Sequence, residues 1–172
     1  MDIELEQLSR RVGTALEQRG WMLGTAESCT GGWIAEVVTA TAGSSNWFDR
    51  GFVTYSNAAK IDLLGVAELT LVTRGAVSEQ TVAEMVRGAL AHSTAQIVVA
   101  VSGVAGPGGG SADKPVGTVC VGWGLRAGDV TTTTLHFGGD RESVRRQTVV
   151  AALEQVIRLS DAGGSISASS VP

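Results

Sequence analysis

The chain has 172 residues, of which 44% are hydrophobic and 17% charged, and its formal net charge is −4. That balance suits one compact domain that buries its own core, and it excludes a disordered chain. With no basic stripe and no apolar stretch long enough to span a bilayer, neither nucleic acid nor a membrane is an expected partner.

Leu5, Leu8, Val12 and Leu16 recur at helical spacing, and Gly20 supplies a stop signal. Residues 21–26 read as a short strand. Residues 31–41 return to helical spacing, with Trp33, Ile34, Val37 and Val38 available for burial. A loop over 42–46 leads to a second strand over 48–55. Residues 57–64 form a short helix ended by Gly65. Ser78 caps a clearer helix whose apolar face is Val82, Met85, Val86, Ala89 and Leu90.

Ile97 to Val101 is a continuous β-branched and apolar run, the mark of a central strand buried on both faces. Residues 116–125 and 130–137, joined by Arg126-Ala127-Gly128-Asp129, read as an antiparallel hairpin. Asp140 caps a last helix carrying Val144, Leu153, Val156 and Ile157. The sum is an α/β fold with helices on both faces of a mixed sheet, three layers in all. It forms one domain over residues 4–160, and the Ser/Gly-rich residues 161–172 read as a flexible tail. Strand order is not readable.

Two stretches carry the chemistry: Thr25-Ala26-Glu27-Ser28-Cys29-Thr30-Gly31-Gly32, and Ser102 to Gly110 with five glycines around Pro107. Each follows a strand. Ser28 sits where a strand turns into a helix, beside unpaired amides that suit a developing oxyanion, and Gly31 and Gly32 admit a ligand close to the backbone. Ser28 or Thr30 equally suits a plain helix cap. A serine needs a base. With only His92 and His136, far apart, neither a histidine triad nor a zinc site is expected. Lys60 is the candidate base if burial lowers its pKa, with Tyr55, the only tyrosine, to orient it or relay a proton. A solvated Lys60 and a core-edge Tyr55 fit the spacing too. Cys29 is the rival nucleophile. Neither Cys29 nor Cys120 has a disulfide or metal spacing, and the acidic N-terminus has no signal-peptide pattern, so the reducing cytoplasm is the expected compartment.

The Gly-rich loop suits an amide nest for a phosphate, but it lacks the Gly-Lys-Ser/Thr ending of a P-loop and serves as well for a tight connection. Ser102 and Lys114 add a hydroxyl and a charge. Arg141, Arg145 and Arg146 open the last helix and offer a phosphate ligand or a solvated face; Arg145 and Arg146, being adjacent, point different ways.

Further segments in order are Gly43-Ser44-Ser45, Gly51-Phe52-Val53-Thr54-Tyr55-Ser56-Asn57, Gly75-Ala76-Val77-Ser78, Lys114-Pro115-Val116-Gly117-Thr118 and Gly139-Asp140-Arg141. Together these motifs resemble the C-terminal domain of the competence/damage-inducible CinA family in its stand-alone form, over roughly residues 5 to 160. The resemblance implies a three-layer α/β/α sandwich around a mixed β-sheet, with no metal and no cofactor. It implies an amidase that converts nicotinamide mononucleotide to nicotinate mononucleotide and ammonia. It puts the catalytic serine at Ser28, the tyrosine at Tyr55 and the lysine at Lys60. Nucleotide contacts fall on Ser102, Gly103, Ala105 and Gly106 and on Arg141 or Arg145, with Thr30, Gly31 and Gly32 completing the substrate-binding set. A homodimer is allowed, as small α/β enzymes commonly pair symmetrically. The alternatives are a nucleotide-binding module without chemistry, and a general Ser/Lys amidase, against which the Ser-x-x-Lys spacing is absent.

Overall fold

Alternation along one central strand decides which helices lie on which face. In the computed structural model, which describes residues 2–162, strand β3 (Ile97–Gly103) sends Ile97, Val99 and Val101 into one core and Val98 and Ala100 into the other. Side chains alternate across a strand, so a run without polar positions needs cover on both faces. The first core is closed by α1 (Ile3–Arg19), α2 (Trp33–Thr39) and α6 (Arg141–Asp161). The second is closed by α3 (Asn57–Leu64), α4 (Glu68–Arg74) and α5 (Glu79–Ala91). The result is the expected three-layer α/β/α sandwich.

The sheet has five strands in the order β2-β1-β3-β4-β5, with β1 at Leu23–Glu27, β2 at Phe48–Val53, β4 at Thr118–Leu125 and β5 at Val130–His136. β1 runs parallel to both β2 and β3, whereas β3–β4 and β4–β5 are antiparallel. The chain leaves β1 toward β2 on one side and later returns to β3 on the other. The carboxyl ends of β1 and β3 therefore flank the point where strand order reverses, the crevice where open α/β sheets bind ligands. Ser28 and Ser102 lie there.

Local signals act as read: Gly20 closes α1 in the left-handed conformation, Ser78 accepts from the Thr81 N–H at the start of α5, and Asp140 accepts from Ser143 at the start of α6. Four differences matter. β2 ends at Val53, so Tyr55 lies in the loop before α3. Residues 44–46 form a single 3-10 turn. Helix α4 has no counterpart in the sequence reading, because Leu71 is its one buried residue while Leu69 and Val72 face outward, leaving no apolar stripe. Helix α6 runs through Asp161, one residue into the expected tail; residues 163–172 lie outside the described residues.

Helix α3 is held against α5 at Gly88. A Cβ there would collide with the Leu64 carbonyl, so only glycine permits the approach. That contact fixes the helix that carries Lys60.

Candidate active site

Ser28 follows the last residue of β1, and its N–H bonds to the Val101 carbonyl, which locks it beside β3. Lys60 enters from the first turn of α3. Ser56 starts that helix by accepting from the Ala59 N–H, and the turn points the lysine inward. Its Nζ lies 3.0 Å from Ser28 Oγ and donates to the Thr54 carbonyl at 2.8 Å. Lys60 is 1% exposed and Ser28 is also buried. Burial disfavours the ammonium form and pushes the Lys60 pKa below its ordinary value. Among the described residues no carboxylate pairs with this amine. The solvated lysine allowed by spacing is thus not what forms; a buried amine faces an alcohol.

A cavity of about 210 Å³ opens on this pair, lined by Ser28, Lys60, Tyr55, Ser102, Ala105 and Arg141 among others. Gly103 lines it too, as do Asn57, Ala76 and Val77. A second cavity, of about 530 Å³, lies across Gly31 and Gly32 and holds Trp33, Glu36, Glu142 and Arg145. Arg141 lines both.

Tyr55 is 61% exposed. Its hydroxyl accepts from Arg141 Nη2 at 3.0 Å, and no hydrogen bond joins it to Lys60 among the described residues. The expected partnership of tyrosine and lysine is therefore a shared cavity rather than a direct bond. Arg141 also donates to the Gly106 carbonyl at 2.8 Å. The Gly-rich loop thus turns an acceptor toward the arginine at Gly106. Its entry is stitched to the next strand by Val104 N–H to the Thr118 carbonyl and by Gly117 N–H to the Val104 carbonyl. Lys114 is drawn away to the Arg74 carbonyl at 2.7 Å.

The Ser28 turn departs from the helix-cap reading of its hydroxyls. Gly32 opens α2 without a side-chain cap, so neither Ser28 nor Thr30 caps it. The Glu27 carboxylate does so, accepting from the Ile34 and Ala35 N–H groups at 2.9 and 2.8 Å. Thr30 is fully buried, and its hydroxyl donates to Glu27 at 2.6 Å rather than facing a ligand. Gly31 N–H closes a turn onto the Ser28 carbonyl. Gly31 and Gly32, with φ of 63° and 98°, hold conformations that side chains resist. Arg145 donates to the Cys29 and Thr30 carbonyls and lies over the Trp33 ring. Arg146 turns the other way, onto Asp2 and Glu4.

Cys29 is buried, and burial pushes its thiol up to about 11. Cys29 lines the smaller cavity beside Ser28, and the raised thiol disfavours the thiolate that a cysteine nucleophile needs. Glu27 was not singled out by sequence. An acidic residue at the end of an apolar strand, six residues before a helix whose first positions offer no cap, is the signal that marks it.

Residues 5–160 match the CinA C-terminal domain. The chain is 56% identical over 154 residues to the nicotinamide-nucleotide amidohydrolase PncC of Enterobacter agglomerans, covering 90% of this chain and 94% of that protein. It is 55% identical over 153 residues to the protein of that name from Escherichia coli K12, covering 89% and 93% of the two chains. Among solved structures, the competence/damage inducible protein CihA of Agrobacterium tumefaciens superposes with a TM-score of 0.89 at 50% identity, over 92% of this chain and 99% of that one.

Proposed function

The chain belongs to the CinA C-terminal domain family, and from that premise we propose that it is an amidohydrolase converting nicotinamide mononucleotide to nicotinate mononucleotide and ammonia. Relatives that align over nearly their whole length carry that activity in their names. The observation that carries the chemistry is the 3.0 Å approach of Lys60 Nζ to Ser28 Oγ in a buried setting.

Neutral Lys60 takes the proton of Ser28 as Oγ attacks the carboxamide carbon. The tetrahedral oxyanion is met by an N–H group of the Ser28 turn. That of Cys29, next to the nucleophile, suits this, since Thr30 is fully buried, Gly31 N–H is committed to the Ser28 carbonyl, Trp33 N–H to the Thr30 carbonyl and the Ile34 and Ala35 N–H groups to Glu27. The intermediate collapses with the C–N bond breaking, and the Lys60 ammonium returns its proton to the departing nitrogen, which leaves as ammonia. Water then enters, gives a proton to Lys60 and attacks the acyl ester, and the C–Oγ bond breaks as the Lys60 ammonium donates that proton to Oγ. The acid product loses its remaining proton to solvent.

The nicotinamide ring occupies the smaller cavity at Ser28, while ribose and phosphate extend past Arg141 into the larger one. Arg141 serves as the phosphate ligand in this reading because it lines both cavities and has guanidinium donors beyond its two bonds. Remote phosphate binding then orients the reacting carboxamide. The reducing cytoplasm remains the compartment assigned to it. No helix among the described residues is long and apolar enough to cross a membrane.

The test is ammonia release from nicotinamide mononucleotide by wild type, Ser28→Ala and Lys60→Ala. Turnover by wild type alone is the expected result. Turnover retained in either variant overturns the assigned roles. Calorimetric binding of the nucleotide without ammonia release by wild type would make the chain a binding module.

A further inference from the structure

Resting on the amidase reading, we propose that Glu27 and Arg145 are positioning residues that clamp the Ser28 turn from two sides and hold the nucleophile and its neighbouring N–H groups in reactive register. Neither contacts Ser28 Oγ or Lys60 Nζ by hydrogen bond, and both close on the residues around them.

From the inner side, one buried carboxylate gathers four donors. Oε2 of Glu27 accepts from the Thr30 hydroxyl at 2.6 Å and the Ile34 N–H at 2.9 Å; Oε1 accepts from the Ala35 N–H at 2.8 Å and the Thr25 hydroxyl at 3.3 Å. The Glu27 carbonyl accepts from the Thr54 N–H, and Thr54 in turn receives the Lys60 amine on its own carbonyl. One residue thereby ties the end of β1, the turn, the start of α2 and the peptide that anchors the base. Helix α2 has no other side-chain cap, so this carboxylate is the side chain that ties the start of the helix to the end of β1.

From the outer side, Arg145 Nε and Nη2 donate to two consecutive carbonyls, Cys29 at 3.1 Å and Thr30 at 2.8 Å. The guanidinium lies 5.2 Å from the Trp33 ring centroid, which fixes its plane. Peptide units are planar and trans, so a carbonyl held toward Arg145 turns the N–H of the same unit the opposite way. Holding the Cys29 carbonyl therefore fixes the plane of the peptide unit that directly follows the Cys29 N–H assigned to the oxyanion. Arg145 thus spends two donors on the Ser28 turn itself, whereas Arg141 spends its two on the Gly106 carbonyl and the Tyr55 hydroxyl. Misplacement of reacting groups by about 1 Å can cost on the order of a hundredfold in rate, so such a clamp reads out in kcat.

The experiment compares Glu27→Gln, Arg145→Gln and Arg145→Lys with wild type, using the full chain. It measures kcat and KM for nicotinamide mononucleotide, the thermal melt, and hydrogen exchange of amides 28–35. Glutamine at 27 places a donor where two donors converge. The clamp predicts kcat lowered about tenfold or more in both Gln variants with KM within about threefold, faster exchange in the turn, and partial recovery of kcat in Arg145→Lys. The Arg145 variants keep the test decisive if Glu27→Gln fails to fold. A folded Arg145→Gln with kcat within about twofold of wild type overturns the clamp, as does a loss confined to KM, the mark of a phosphate ligand. A wild type that releases no ammonia refutes the amidase reading instead; exchange in the turn then decides, and protection unchanged by Arg145→Gln overturns the clamp on its own.

Discussion

Lys60 Nζ and Ser28 Oγ lie 3.0 Å apart across 32 residues of sequence, one on the first turn of α3 and the other just past β1. The approach depends on neither residue alone. β1 delivers the serine to the switch point of the sheet, and the Gly88 contact sets α3 at the depth that lets the lysine reach it.

Only the neutral amine accepts a proton, and burial holds Lys60 below the ordinary lysine value of 10.5. The rate constant kcat/KM therefore rises as pH climbs through the folded-state pKa and levels off below 10.5. Stability follows the same shift. Between the folded-state pKa and 10.5, the unfolded chain keeps a proton that the folded chain has released, so unfolding free energy increases with pH across that window. Lys60→Met removes this slope; denaturant melts of both proteins across the window check it.

Arg141 joins the two cavities and bonds to Tyr55. Arg141→Ala raises KM for nicotinamide mononucleotide by about tenfold or more while leaving kcat less affected, since a charge-assisted phosphate contact is removed at a distance from the reacting carbon. Tyr55→Phe removes only one acceptor from that guanidinium, so its KM shift is smaller than that of Arg141→Ala. Steady-state kinetics of the two variants, side by side, read the order.

The strands, most helices and the layer arrangement were legible because each rests on a local pattern: the β-branched run at Ile97 to Val101, the caps at Ser78 and Asp140, the stop at Gly20. Ser28 and Lys60 were legible as chemistry, and the absence of a histidine partner pointed from one to the other. Their contact was not, because it depends on strand order and on a close approach at Gly88 that no local signal encodes. Glu27 was missed for a related reason. A carboxylate inside an apolar strand reads as a flaw until the helix amides it accepts are seen to lie in front of it. Arg141 and Arg145 were inseparable by sequence, since one helical turn places both near the site and only backbone carbonyls 115 and 116 residues away distinguish Arg145.

Cys29 neighbours the nucleophile, yet its thiol is held up to about 11 by burial. Iodoacetamide near neutral pH leaves activity intact, and Cys29→Ala keeps kcat within about threefold of wild type. Rapid loss of activity with one equivalent of label on Cys29 contradicts this.

Gly88→Ala forces a Cβ into the Leu64 carbonyl. Overpacking of this kind costs about 1–3 kcal/mol, and relief by outward movement of α3 withdraws Lys60 from Ser28. A lowered denaturant midpoint together with a lowered kcat is the expected pair of effects.

The charge state of one buried amine is the point on which the chemistry turns, and nuclear magnetic resonance titration of the Lys60 side chain, recorded in Ser28→Ala and in wild type, measures it directly. The predicted result is a midpoint below 10.5 that coincides, in wild type, with the acid limb of kcat/KM. A midpoint at or above 10.5 leaves Lys60 an ammonium at working pH and contradicts its role as the base that activates Ser28.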